Sequence, residues 1–252
     1  MRSAFRRHPP RYPRSWSDFT SGEVMQQAIQ TVCNEYSQRI FGYHFVRLGE
    51  LSAEISLPDC PIRHKINQTH GQHAHTSLVS QSHALPFAEN SIDGLLLANE
   101  LDFAQDPHQI VREVDRVITQ NGYVIISGFN PLSLTGLLRW LPYKRQSLLH
   151  DASFFTAARI KDWLQLLGFE IVEQHQVLYS ALQCKHRVDV SRFRGWLAKY
   201  LPWCGSVYVI LARKRVIPMT AIRPRLKIKP QFAPVSAGMS RAQTRDTHQR
   251  RR

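Results

Sequence analysis

Four histidines crowd the stretch HKINQTHGQHAHTS: His64, His70, His73 and His75. Imidazoles at such short spacing can ligate zinc or nickel. Gly71 and the surrounding Gln, Thr and Ser residues read instead as a solvent-facing loop, no Cys or acid joins the cluster in sequence, and no metal is expected. A second feature is HFVRLGELSAEI, His44 to Ile55. Phe45, Val46 and Leu48 form a strand that runs into Gly49. In many nucleotide-binding proteins such a strand is followed by glycines at alternate positions, because a Cβ there would keep the backbone away from the ligand. Here those positions are Leu51 and Ala53. A third feature mixes Trp196, Tyr200 and Trp203 with Arg192, Arg194 and Lys199, a composition that could stack single-stranded nucleic acid. More often such a mixture is an amphipathic helix that buries its aromatics, and the spacing 193, 196, 197, 200 suits that.

These residues need elements to position them. Ser21 can cap a helix in which Val24, Ala28, Ile29, Val32, Tyr36 and Ile40 recur at helical spacing, with Gly42 as its stop. The strand at 44–49 follows, then short strands around 64–67 and 77–79. Leu95, Leu96, Leu97 and Ala98 are apolar without alternation, as in a parallel-sheet strand covered on both faces. Asp106 caps the next helix, with Pro107 in its first position and Ile110, Val111, Val114, Val117 and Ile118 on one face. Asn121-Gly122 is read as a turn into a buried strand, YVIISGF. A helix over 153–167 stops at Gly168. The strands EIVEQHQVL and SVYVILARKR complete the pattern, with 179–205 read as an insertion or lid between them. The alternation predicts an open α/β sheet with helices on both faces and an antiparallel final edge.

The chain has 252 residues and a formal charge of +14, unevenly placed. Residues 1–14 carry five arginines and no acid; residues 213–252 carry twelve Lys or Arg and one acid, Asp246. The remainder holds 16 basic and 18 acidic residues. Residues 1–20 therefore read as a flexible basic arm, 21–212 as the folded domain, and 213–252 as a disordered basic tail. Basic ends attract polyanions, so nonspecific nucleic acid is an expected partner. The cysteines Cys33, Cys60, Cys184 and Cys204 form no C-x-x-C pair and read as reduced thiols. The N-terminus lacks the apolar core of a secretory signal, and no window reaches the ~18 apolar residues that span a bilayer. A cytoplasmic monomer without a membrane span is expected.

Residues 85–131 carry a more specific signal: Leu85-Pro86-Phe87, Ile92-Asp93, Glu113, Arg116-Val117-Ile118 and Gly122, in that order. This run resembles the second half of a class I S-adenosylmethionine-dependent methyltransferase, and the helix before Gly168-Phe169 is similar to that family's final helix. Within the family the chain resembles the bacterial YafS-like branch over about residues 20–215. The resemblance implies a Rossmann-like class I methyltransferase sheet, mostly parallel with an antiparallel last strand, flanked by helices. It also implies S-adenosylmethionine as cofactor and a methyl acceptor that the sequence does not identify. Each matched residue also has a packing role: Asp93 can bond a strand start, and Glu113 with Arg116 is an i,i+3 helix pair.

The family's cofactor loop reads acid-x-Gly-x-Gly-x-Gly. Here the matching positions are Arg47, Gly49, Leu51 and Ala53, so one glycine of three remains and a cation replaces the acid. Arg47 would repel a sulfonium or meet the ligand's carboxylate. The ribose-binding acid falls at Asn67 and the adenine-contact acid at Gln81, both neutral. Gly49, Glu50, Asn67, Gln81 and Asn99 are thus the cofactor-binding set that the resemblance implies. Pro58 and Pro61 leave little room for a helix after the first strand, so the first βα unit is degenerate and its pocket rebuilt. His83, Glu100, Asp102 and Asn130 lie near the expected mouth as candidate bases. Asn130-Pro131 follows the fifth strand and lacks a second proline, so the family's amino-methylating Asn-Pro-Pro signature is not carried over.

Two functions are compatible with these residues. One is a divergent methyltransferase with adapted cofactor contacts. The other is a non-catalytic protein of the same fold that binds RNA or a protein through its basic ends.

Overall fold

In strand β4 (Ile92–Ala98), Leu95 and Leu97 join one buried cluster while Leu96 and Ala98 join another. Successive side chains of a strand point to opposite faces, so a strand apolar throughout must be covered twice. Helix α1 (Gly22–Ser37) supplies one cover through Met25, Ile29 and Tyr36. Helices α4 (Pro107–Val117) and α5 (Ala157–Leu166) supply the other through Ile110, Val114, Ile160 and Leu164. This is the α/β sandwich that the alternation predicts. The computed structural model describes residues 11–133, 136, 148–178 and 205–215.

Seven strands form one sheet in the order β3-β2-β1-β4-β5-β7-β6. Besides β4 they are β1 (His44–Leu48), β2 (His64–Thr69), β3 (Leu78–Val79), β5 (Ile118–Phe129), β6 (Phe169–Val177) and β7 (Val207–Lys214). The first five strands pair in parallel. β7 is inserted antiparallel between β5 and β6. The chain leaves β1 toward β2 and returns on its other side as β4, so β1 and β4 flank the point where the winding reverses. Open α/β sheets bind ligands there, outside the carboxyl ends of the strands.

The loop Leu85-Pro86-Phe87 is held as a unit. Arg116 donates to the carbonyls of Leu85 and Phe87 at 3.0 and 2.9 Å and pairs with Glu113 at 2.6 Å. Glu113 in turn accepts the Leu85 N–H at 2.9 Å. The Arg116 hydrogen bond, against burial and helped by the Leu85 N–H, holds the Glu113 carboxyl below its ordinary range. Asp93 accepts the N–H groups of Tyr43 and His44, fixing the start of β1.

Several expectations are corrected. The buried face of α1 is Met25, Ile29, Val32, Cys33 and Tyr36, and Val24 is 48% exposed. Asn121-Gly122 does not begin β5. The strand starts at Ile118, and residues 119–122 bulge between the pairs Ile92–Ile118 and Gly94–Tyr123, with Asn121 at φ 68°. Residues 11–20, placed in a flexible arm, pack on the domain: Trp16 and Phe19 are buried in its core. β7 continues to Lys214, two residues past the expected domain end. The lid region 179–204, with Trp196, Tyr200 and Trp203, lies outside the described residues.

Candidate cofactor site

Gly49 ends β1 with φ at 90°, a conformation that side chains disfavour. Its N–H donates to the Gln68 carbonyl at 2.9 Å, tying the turn to the end of β2. A Cβ on Gly49 would lie 2.0 Å from Oε2 of Glu100 and 3.3 Å from the phenol oxygen of Tyr12. The retained glycine is therefore the one whose open face meets functional groups. Leu51 and Ala53, at the two lost glycine positions, are buried in helix α2 (Glu50–Ala53), a single turn. The short helix agrees with the prolines at 58 and 61. Between β4 and β5, helix α3 (Glu100–Phe103) is also a single turn.

Four side chains meet at the carboxyl ends of β1, β2 and β4. Glu50 accepts the His70 backbone N–H at 2.9 Å through Oε1, and His70 Nδ1 lies 2.9 Å from Oε2. His70 Nε2 lies 3.1 Å from Ser82 Oγ and 3.4 Å from Glu100 Oε1. Ser82 Oγ donates to Glu100 Oε1 at 2.5 Å. The imidazole thus stands between two carboxylates, one on each nitrogen. The Tyr12 ring lies over it, centroids 4.4 Å apart, and the buried Tyr12 hydroxyl has no hydrogen-bond partner among the described residues.

The two acids differ electrically. Burial pushes the Glu50 carboxyl up, but the His70 hydrogen bond, its charge and backbone donors outweigh burial and hold it below the ordinary range. Glu100 is 2% exposed, and burial drives its carboxyl well above that range. One site therefore holds an ionised acid and an acid that resists ionisation, a pairing typical of functional sites.

The other implied positions are placed as follows. Asn67 faces Arg47 across paired strands. Its Oδ1 accepts from Arg47 Nε at 2.7 Å, and its Nδ2 donates to the His75 carbonyl at 2.6 Å. Arg47 also donates to the Ile55 carbonyl at 2.6 Å, and burial lowers its pKa. Arg47, Glu54, Asn67 and His75 line a cleft of about 460 Å³ beside the Gly49 turn. Asn99 is left-handed at φ 53°; its Oδ1 accepts from Ser127 Oγ and its Nδ2 donates to Asp102. Gln81 is exposed in the loop after β3 and pairs with Ala84 through a backbone bridge.

Among the candidate bases, Glu100 is at the mouth. Asp102 accepts from Asn99 and from the Phe129 N–H, Asn130 bonds the Gly205 carbonyl and the Leu132 N–H, and His83 faces Glu113. The histidine cluster is dispersed: His64 Nδ1 meets His44 Nδ1 at 2.7 Å, while His70 serves the carboxylates. Among the described residues, no group of three or more His, Cys, Asp or Glu is arranged to hold a metal. Tyr12, His70 and Ser82 are the residues that sequence reasoning missed at this site. Only His70 carried a signal, and it was read as part of a loop.

Residues 54–126 match the family model described as a methyltransferase domain. The chain is similar to the protein YafS of Escherichia coli K12, 34% identical over 209 residues that cover 82% of this chain and 83% of that one. Its fold is similar to a S-adenosylmethionine-dependent methyltransferase from Archaeoglobus fulgidus, with a TM-score of 0.52 at 16% identity over 76% of this chain and 94% of that one. It is also similar to the cyclase SpnF, with a TM-score of 0.54 at 15% identity over 85% and 89%. A cyclase among the neighbours illustrates that this fold does not by itself fix a reaction.

Proposed function

From a chain that belongs to the class I S-adenosylmethionine-dependent methyltransferase family, in the branch of YafS, we propose methyl transfer from S-adenosylmethionine to an acceptor at the mouth of β1, β2 and β4. The observation that carries this reading is Gly49 at the reversal point of the sheet, its open face turned to Glu100 and Tyr12. The cofactor's sulfonium supplies a methyl group that is already activated. The chain's part is to hold, align and shield it. Gly49 lets the backbone approach a ligand, Glu50 offers negative charge, and exposed Gln81, whose side-chain amide has no partner among the described residues, is available for the adenine edge. The amides of Asn67 and Asn99 already bond within the protein, so they contribute only after exchanging those partners.

Further parts of the reading are a cytoplasmic monomer and a basic tail beyond the domain that attracts polyanions. The free thiols of Cys33 and Cys60 accord with a reducing compartment. No described helix is long and apolar enough to cross a membrane. Titration calorimetry with S-adenosylmethionine tests the main reading. Micromolar binding that Gly49→Ala removes supports it. A folded protein that binds nothing at millimolar ligand overturns it.

A further inference from the structure

The family's first loop carries an acid that this chain replaces with Arg47, whose guanidinium is spent on Asn67 and the Ile55 carbonyl. A ligand with a cationic methionyl end still needs a negative counterpart. We propose that Glu100 supplies it: its carboxyl group, held over Gly49, loses its proton through Ser82 and His70 as the cation enters, and the resulting carboxylate receives the cationic end of S-adenosylmethionine. This inference rests on the functional reading above and extends it to residues that the family pattern does not specify.

Position is the first support. Glu100 Oε2 occupies the space that a Gly49 side chain would fill, so it lies against the turn where backbone approaches ligand. A path for the proton is the second. Ser82 Oγ is within hydrogen-bond distance of Glu100 Oε1 on one side and His70 Nε2 on the other, at 2.5 and 3.1 Å. With His70 Nδ1–H donated to Glu50, Nε2 is free to accept. In the protonated state Glu100 donates from Oε1 to Ser82 Oγ, and the Ser82 O–H turns from Glu100 to His70 Nε2; Ser82 then takes the Glu100 proton and passes its own to Nε2. The imidazole side chain is 32% exposed and can hand that proton to water. One O–H bond breaks at Glu100, one forms in solvent, and no other bond changes.

The charge balance is the third support. His70 is the one cation-capable group within ion-pair distance of Glu100 among the described residues, and Glu50 competes for it. Tyr12 faces the same space with an uncharged, unpartnered hydroxyl, and Asp102 turns to Asn99 and Phe129. Burial makes the Glu100 carboxyl hold its proton well above the ordinary carboxylate range. An incoming cation favours the ionised form and reverses that preference. Binding and deprotonation are then linked, and the site is selective for cationic ligands.

Calorimetry in phosphate and in Tris, whose ionisation enthalpies differ, measures the protons exchanged on binding. S-adenosylmethionine is compared with methylthioadenosine, which keeps the adenosine and lacks the cationic groups. The wild type is expected to release a proton with S-adenosylmethionine and none with methylthioadenosine. Glu100→Gln, which mimics the neutral acid in size, is expected to fold, to bind methylthioadenosine as the wild type does, and to bind S-adenosylmethionine about tenfold or more weakly, without proton release. Equal proton release by the variant, or binding of S-adenosylmethionine by the wild type without release, overturns this inference and leaves the functional reading standing. Failure of the folded wild type to bind S-adenosylmethionine overturns both.

Discussion

Trp16 donates its indole N–H to the carbonyl oxygen of Leu51 at 3.0 Å, joining the segment before α1 to the single-turn helix after β1. In a longer helix that carbonyl would receive the Ile55 N–H, which here bonds Ser52 instead. The indole is thus a cap supplied from 35 residues away in sequence. Trp16→Ala is expected to lower unfolding free energy by about 3–5 kcal/mol, since a large buried ring is lost along with the bond. Trp16→Phe keeps most of the packing and is expected to cost less. Urea denaturation of both variants measures the difference.

The clasp around Leu85-Pro86-Phe87 depends on a planar fork that reaches two carbonyls and a carboxylate together. Lysine offers one charged nitrogen and cannot reproduce that geometry. Arg116→Lys is therefore expected to destabilise the domain by about 1–3 kcal/mol, the scale of hydrogen bonds to charged groups. Hydrogen exchange should quicken at the Leu85 amide first. An unchanged exchange rate there would show that Glu113 holds the loop unaided.

Glu50 and Glu100 should give stability opposite pH dependences. Glu50 binds its proton less tightly when folded, so its contribution is present above the ordinary carboxylate pKa and lost as pH falls through the lowered value. Glu100 binds its proton more tightly when folded, so stability falls as pH climbs from the ordinary carboxylate value toward the raised one. Glu100→Gln is accordingly expected to be more stable than the wild type at neutral pH and equal to it near pH 4. Thermal unfolding across that range decides. A variant less stable at neutral pH would mean that the carboxylate is already ionised in the protein without ligand.

Much of the scaffold was legible because it rests on local periodicity and caps. The apolar run Leu95–Leu97 announces a doubly covered strand, and Asp106 with Pro107 announces a helix start. Asn121-Gly122 misled because a positive φ serves a bulge as well as a turn. The site was harder. Gly49 was visible as a residue type, and Glu100 as a position after a strand. Tyr12 and Ser82 were not visible, because nothing in their neighbourhood tells where the chain will bring them. Tyr12 reaches the site because Trp16 and Phe19 anchor its segment in the core. An Arg- and Pro-rich composition conceals two such anchors. Asn67 and Asn99 were legible as polar residues at strand ends, but not as residues already engaged by Arg47 and Ser127.

β7, the last of the described strands, is sandwiched between β5 and β6 and pairs with both along its length. A nascent polypeptide that has not yet emitted residue 207 presents two raw edges, each a template for association with another copy. Assembly of this half of the sheet must wait until β7 has been synthesised. A premature stop before Val207 would leave a sticky fragment rather than a smaller, self-sufficient domain.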